Sequence, residues 1–136
     1  MAIVEEIIRK NADNTLSFGN HELTSKTKVL DFDLDGSSYK AKSFNEVTKL
    51  KKEGKLVYES LPGTTVHNFK VTDDLVSFML EGFAASQITL ELTPTTSYEF
   101  KVDNDFIAKV TTTATGKVNI SVVATNEPKL VELIRV

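Results

Sequence analysis

The chain of 136 residues contains no cysteine and no tryptophan, and it has only two arginines and three prolines. Without cysteine it has no disulfide and no thiolate metal ligand, so the fold must depend on its hydrophobic core. Without tryptophan it lacks the largest aromatic side chain that could stack on a sugar ring. No run of apolar residues approaches the length of roughly 20 that a helix needs to cross a bilayer, so the sequence predicts no membrane-spanning helix.

Charge, length and the N-terminal residues limit the class of protein further. Sixteen basic residues against 19 acidic ones give a formal charge of −3, which makes nucleic acid an unexpected partner. The length suits one domain, or one domain with a substantial extension. Glu5 and Glu6 interrupt the apolar stretch that a signal peptide would need, so we expect cytoplasmic residence by default. The same sequence is also compatible with release from the cell by a route that needs no signal peptide.

The part of the chain after residue 62 reads as a series of short strands. Seven apolar or alternating runs are separated by turn residues, a pattern that predicts an immunoglobulin-like β-sandwich over residues 63–136. The side chains predicted to face inward are Phe69, Val76, Phe78, Leu80, Ile88, Leu90, Leu92, Tyr98, Phe100, Val102, Phe106, Val110, Val118, Ile120, Val122 and Leu133. The whole chain is therefore predicted to be mainly β.

A corner motif lies in the middle of this series. Leu92, Pro94 and Tyr98 follow the spacing Leu-x-Pro-x-x-x-Tyr, with alternating apolar residues after the tyrosine. This segment resembles the tyrosine corner of fibronectin type III and other immunoglobulin-like sandwiches, which implies a buried Tyr98 whose hydroxyl bonds to upstream backbone.

The first 62 residues are predicted to form hairpins and one short helix, either as an extension or as part of one continuous domain. Alternation followed by Asp35-Gly36 is a strong hairpin signal. Ser43 and Glu46 form a capping box, after which apolar residues recur at helical spacing until Gly54. We therefore expect a helix over about residues 44–53.

The N-terminal segment, residues 2–8, has two interpretations. Glu5 and Glu6 would lie on opposite faces of a strand, so neither face could be fully buried, which favours an edge or intermolecular strand. As a helix, the segment would place both acids away from its apolar stripe. We predict the strand.

Three aspartates reproduce half of a calcium-binding loop. Asp31, Asp33 and Asp35 precede Gly36 as in an EF-hand, but the twelfth position is Lys42, where a bidentate glutamate is needed. Exposed carboxylates on a hairpin are the simpler interpretation. We therefore predict no metal site and no cofactor.

No catalytic constellation emerges from the chain. It has neither a nucleophile elbow nor a glycine-rich phosphate loop. His67 is expected to be a buried, hydrogen-bonded histidine. If an active site existed, it would centre on His67 with Tyr58, Glu59 and Asn68, which are close in sequence. The lysines at 49, 51 and 52 suggest a solvated face.

Sugar recognition would depend on tyrosine. Because Tyr98 is assigned to the corner, Tyr39 and Tyr58 are the residues left to stack on a sugar, with Glu59, His67 and Asn68 as polar candidates.

Residues 15–20, 29–32 and 57–69 resemble a group of small Firmicutes proteins commonly labelled endosialidase, and the similarity spans nearly the whole chain. The label implies a sialic acid hydrolase with an arginine triad on a large propeller. Arg9 and Arg135 are the only arginines, and 136 residues cannot supply six blades of about 40 residues each. We therefore reject that activity.

The sequence as a whole favours a non-catalytic structural or self-assembling protein that acts through protein–protein contacts. A homo-oligomer would form through edge strands near residues 2–8 or 130–136. A small carbohydrate-binding module is the alternative, and a hydrolase centred on His67 is a third hypothesis.

Overall fold

The computed structural model describes residues 3–136, and over this range the chain forms strands, turns and loops with no helix. The thirteen strands are β1 (Ile8–Lys10), β2 (Leu16–Phe18), β3 (Thr27–Leu34), β4 (Ser37–Ser43), β5 (Thr48–Lys52), β6 (Lys55–Leu61), β7 (Thr65–Val71), β8 (Leu75–Glu81), β9 (Ala85–Glu91), β10 (Ser97–Val102), β11 (Asp105–Thr111), β12 (Lys117–Val123) and β13 (Lys129–Arg135).

The strands form two antiparallel sheets. Sheet A has the order β1-β2-β7-β8-β13-β10-β11, and sheet B has the order β12-β9-β6-β5-β4-β3. Apolar side chains from both sheets share one core cluster, in which Phe18, Tyr58 and Phe78 are among the largest fully buried groups. The prediction of a mainly β sandwich is confirmed.

Three tight hairpins have turn residues that favour the pairing of adjacent strands. Asp35-Gly36, Glu53-Gly54 and Asp103-Asn104 each have positive φ at both residues, between 50° and 80°. Two-residue loops of this kind match the right-handed twist of the strands they join, and they favour glycine, asparagine and aspartate. The predicted hairpin at Asp35-Gly36 is confirmed.

The predicted helix over residues 44–53 is wrong. Within it, β5 alternates, since Thr48 and Leu50 are buried whereas Lys49 and Lys51 lie on the other face of sheet B. Gly54 completes a hairpin instead of ending a helix. Pairing of β5 with both β4 and β6 outweighs the local capping box, because each of these ladders satisfies backbone groups along the whole strand.

The N-terminal segment is only partly as predicted. Residue 2 lies outside the described residues, residues 3–7 are loop and turn, and only Ile8–Lys10 form a strand, at the edge of sheet A. Val4 and Ile7 are buried, and their backbones bond to Gly19. The segment therefore packs into the core of its own chain.

The C-terminal edge prediction is also wrong. β13 pairs with β8 on one side and with β10 on the other, so residues 130–135 occupy the middle of sheet A. A strand with two neighbours has no free edge to offer to another molecule.

Strand pairing crosses residue 62 in both sheets. β2 pairs with β7 in sheet A, and β6 pairs with β9 in sheet B. The last strand of an immunoglobulin domain pairs with the strand before it, whereas β13 pairs with β8 and β10. The immunoglobulin-like relation of residues 63–136 stays a prediction.

Tyr98 and Phe106 show the strengths and limits of strand alternation. Tyr98 is buried as predicted, but within residues 3–136 its hydroxyl makes no hydrogen bond to the backbone, unlike the hydroxyl of a tyrosine corner. The prediction that Phe106 faces inward is wrong, because this side chain is 58% exposed. The register of β10 and β11 shifts opposite Phe100 and Lys101, which changes the alternation.

Candidate functional site

A cleft of about 620 Å³ opens between the two sheets at one end of the sandwich. Its walls come from β2 and β7 of sheet A and from β3, β4, β5, β6 and β9 of sheet B, with the loop that precedes β2 and the turns that follow β3 and β7. The volume falls in the range of about 300–1,000 Å³ that is usual for small-molecule sites.

The lining combines apolar walls with polar side chains at the rim. Leu16, Leu34 and Phe69 contribute apolar surface. At the rim, the Asn14 Nδ2 atom donates to Asp35 Oδ2 at 2.8 Å. The Asp13 carboxylate accepts hydrogen bonds from the hydroxyl and the backbone amide of Thr15, and these bonds lower its pKa.

Tyr39 is the one predicted sugar-stacking residue that lines this cleft. The Lys52 ammonium lies 5.9 Å from the centroid of the Tyr39 ring, a cation–π distance. Tyr58 lies elsewhere, fully buried in the core, and its hydroxyl is 2.7 Å from Thr64 Oγ1. Glu59 lies on the outer face of sheet B, where it pairs with Lys49 at 3.2 Å.

A bulge in β7 at His67 and Asn68 changes which face of sheet A these two predicted site residues occupy. The register shifts between His67 and Lys70, and Asn68 has a φ of 55°, a conformation that asparagine tolerates. Because Val66 and Phe69 both belong to the core, His67 faces the opposite side of sheet A. The structure therefore does not bring His67 together with Tyr58 or Glu59.

The residues around His67 form a buried polar cluster that the sequence did not indicate. His67 Nε2 lies 3.9 Å from Glu81 Oε1, and burial raises the pKa of Glu81. His21 Nδ1 lies 2.7 Å from Thr65 Oγ1, and burial lowers the pKa of His21. Neither of the two described clefts is lined by His21, His67 or Glu81.

A second buried group of hydroxyls connects the sheets where β6 leads into β7. Thr64 Oγ1 contacts the hydroxyls of Tyr58 and Ser60 at 2.7 and 2.8 Å. The Thr48 hydroxyl donates to the Thr64 carbonyl at 2.6 Å, and the Thr64 amide donates back to it at 3.0 Å. These groups satisfy one another and have a structural role.

The three aspartates of the half calcium motif do not gather. Asp31 and Asp33 are exposed on β3, and Asp35 begins the hairpin turn, where it bonds to Asn14. In the described part of the chain, no three histidine or acidic side chains are placed to hold a metal ion.

The two sheets have four edge strands, and three of them carry features that discourage pairing with another chain. β1 is three residues long. β3 has a register shift between Val29 and Phe32, and it carries charged residues. β11 has a register shift that leaves Ile107 without a cross-strand partner. Short length, bulges and charge are the usual protections of sheet edges.

β12 is the fourth edge strand, and its pairing is regular. All seven of its residues pair with β9 without a register shift, and Lys117 is its only charged residue. Val118, Ile120 and Val122 are buried, whereas Asn119 and Ser121 are exposed. A long and regular edge with little charge is the kind to which another strand can add.

The backbone groups on the free side of β12 can be assigned. The Gly116 carbonyl accepts from Leu92, and the Ala124 amide donates to Ala84. Hydrogen-bonded and non-hydrogen-bonded residue pairs alternate along an antiparallel ladder. The backbone groups of the even-numbered β12 residues therefore bond to β9, and the backbone groups of the odd-numbered residues point away from β9. Lys117 is already bonded to Thr113, and the Lys129 ammonium donates to the Val123 carbonyl. The open groups therefore centre on Asn119 and Ser121.

Comparison of the chain with protein-family models, with curated proteins and with solved structures found no match. Among residues 3–136 there is no helix of the length and apolar character needed to cross a membrane.

Proposed function

We propose that the protein is a non-catalytic, self-assembling protein in which the free edge of β12 pairs with β12 of a second copy. The regular, weakly charged edge of β12 carries this proposal, because the other three edges of the described sheets are short, bulged or charged. Strand addition of this kind uses backbone hydrogen bonds for affinity and the side chains for register.

The edge is complementary to itself. In an antiparallel pair centred on Ile120, Asn119 of one copy lies opposite Ser121 of the other, and both residues have outward-pointing amides and carbonyls. The two Lys117 side chains lie at opposite ends of the pair, so they do not repel each other. A two-fold arrangement of this type closes and gives a dimer.

Charge substitutions at the two central positions test the pairing. Asn119→Lys combined with Ser121→Lys places like charges opposite each other, so we expect the dimer to weaken by about tenfold or more. Asn119→Glu combined with Ser121→Lys places opposite charges in the same register, so this matched control should restore dimerisation. Light scattering over a concentration series measures both.

Two results would contradict dimerisation through β12. A wild-type chain that is monomeric at all concentrations would overturn the proposal. Equal association of the Lys/Lys and Glu/Lys variants would show that β12 is not the contact. Thr89 donates to Asn119 at 2.6 Å in the folded chain, so the melting temperature of each variant should be measured as well.

Sugar binding in the cleft between the sheets is the second candidate, favoured by Tyr39 beside the polar rim. Aromatic rings stack on sugar faces, and carboxylate and amide groups bind hydroxyls. A glycan array provides the test. Tyr39→Ala should abolish any signal, whereas Phe106→Ala, at an exposed aromatic outside the cleft, should leave it intact. A blank array would reject this candidate.

A further inference from the structure

Five lysines gather on the outer face of sheet B. Lys28, Lys42 and Lys49 lie directly opposite one another across β3, β4 and β5. In the next outward-facing row, Lys40 lies opposite Lys51. Strands are about 4.8 Å apart and alternate residues about 6.8 Å apart, so the lysines cover a footprint of roughly 10 by 7 Å.

This arrangement is electrostatically unfavourable for the chain alone. Like charges directly opposite each other on a sheet destabilise it. Within residues 3–136, the only ion pair that the five lysines form is the 3.2 Å contact between Lys49 and Glu59. Burial and the nearby charges of Lys49, Lys26 and Lys28 lower the pKa of Lys42. The chain has a formal charge of −3, so the cluster is a strong local departure from its average.

The lysines also enclose a groove. A cleft of about 160 Å³ is lined by all five of them, with Leu30 and Ala41. It is separate from the cleft that contains Tyr39, and the two share no lining residue. A concave site that concentrates positive charge raises the local concentration of anions.

We propose that this groove binds a small ligand that carries several linked phosphate groups. Lysine ammonium groups bind phosphates as point charges, and a row of three can contact successive phosphates of one chain. No arginine or aromatic side chain lines the groove, so it lacks the groups that stack on or read nucleic acid bases. The small concave shape suits a short chain of phosphates better than a flat bilayer surface.

Calorimetric titration with inorganic phosphate, pyrophosphate and triphosphate tests the proposal on the full chain. Affinity should increase with each added phosphate and decrease with salt. Lys42→Gln combined with Lys49→Gln should weaken triphosphate binding by about tenfold or more, since each contact to a charged group is substantial. Lys10→Gln combined with Lys109→Gln makes the same change in charge on sheet A and should leave the affinity within about twofold.

Thermal unfolding gives an independent measurement. The Lys42→Gln/Lys49→Gln variant loses the repulsion within the row and also the partly exposed ion pair between Lys49 and Glu59. Because an exposed ion pair contributes little and Lys42 faces two lysines, the variant should melt at a higher temperature than the wild type. Triphosphate should raise the melting temperature of the wild type and not that of the variant. If this variant fails to fold, Lys40→Gln combined with Lys51→Gln replaces it, and the same weakening is expected.

Three results would overturn the proposal. The first is a failure of triphosphate to bind the wild-type chain, and the second is equally strong binding of triphosphate by the Lys42→Gln/Lys49→Gln variant. The third is binding of duplex DNA, a sulfated polysaccharide or anionic vesicles in the absence of triphosphate binding, which would mean that the patch contacts a macromolecular surface. None of these results depends on whether β12 pairs with a second copy.

Discussion

At the scale of single residues, two buried tyrosines differ in the hydrogen bonding of their hydroxyl groups. Tyr58 is fully buried and its hydroxyl contacts Thr64 Oγ1 at 2.7 Å, whereas the Tyr98 hydroxyl makes no hydrogen bond within residues 3–136. Burial raises the pKa of Tyr58, so its hydroxyl stays protonated and can donate. The tyrosine that anchors a polar network is therefore not the one in the corner motif.

Tyr58→Phe is expected to lower the free energy of unfolding by about 1–3 kcal/mol, because buried hydroxyls lose a partner. Tyr98→Phe is the matched control and should change stability by less than about 0.5 kcal/mol. Urea denaturation followed by circular dichroism measures both. Equal losses for the two variants would contradict the assignment of the network to Tyr58.

Glu81 provides a prediction about pH. Its Oε1 atom is buried without a hydrogen-bond partner in the described part of the chain, and burial raises its pKa above the ordinary value of 4.5. The folded state therefore holds this proton more tightly than the unfolded state does. The carboxyl favours folding most at low pH, and this contribution is lost as pH rises through the folded-state pKa.

Glu81→Gln should consequently be more stable than the wild type at pH 7, and the difference should shrink towards pH 4. Denaturation midpoints at several pH values measure this. Glu127→Gln, at an exposed carboxyl, is the control and should show no such trend. A loss of stability at pH 7 in the Glu81 variant would mean that attraction to His67, 3.9 Å away, outweighs burial.

At the scale of elements, the crossing from β6 to β7 depends on Gly63. A Cβ atom at this position would overlap the carbonyl of Phe44, which is backbone and cannot move aside like a side chain. Gly63→Ala should therefore destabilise by about 2 kcal/mol or more, as strain at a closely packed site does. Thermal unfolding measures the loss.

Gly36→Ala is the comparison for that variant. Gly36 has open space around it but a φ of 80°, so alanine there is opposed only by backbone conformation. The expected loss is about 1–2 kcal/mol. If Gly63→Ala were the milder change, the contact with Phe44 would not limit the crossing.

Lys129 acts on the edge of β12. Its ammonium donates to the Val123 carbonyl and so occupies one end of the free edge. In the proposed register Val123 lies opposite Lys117 of the other copy, so Lys129→Met should remove a like charge from this end of the pair and tighten self-association, because protective lysines limit strand addition. Light scattering should show dimer at lower concentration than for the wild type. Unchanged association would indicate that the pairing stops short of Val123.

At the scale of the whole molecule, the sheets join the two halves of the sequence. β9 depends on β6, β7 depends on β2, and the shared core includes Phe18, Leu50 and Tyr58 from the first half. A fragment of residues 63–136 should therefore lack a cooperative unfolding transition, in contrast to the full chain. A cooperative transition in the fragment would show that residues 63–136 form a domain of their own.

The sequence alone determined the features that depend on neighbours along the chain. Strand alternation predicted the β class and most of the buried side chains, and Asp35-Gly36 predicted its hairpin, because the strand period and the turn conformation are local properties. A local signal also misled, since the capping box at Ser43 and Glu46 indicated a helix where β5 forms.

The tertiary structure decided what depends on pairing between distant strands. Only the order of the sheets shows that residues 130–135 are central and that β12 has a free edge. Only the register aligns Lys28, Lys42 and Lys49, which are 14 and 7 residues apart in sequence. Bulges, each of which inserts one extra residue into a strand, turned His67 and Phe106 away from the core face. Such long-range choices follow from the packing energy of the whole chain, which no local pattern contains.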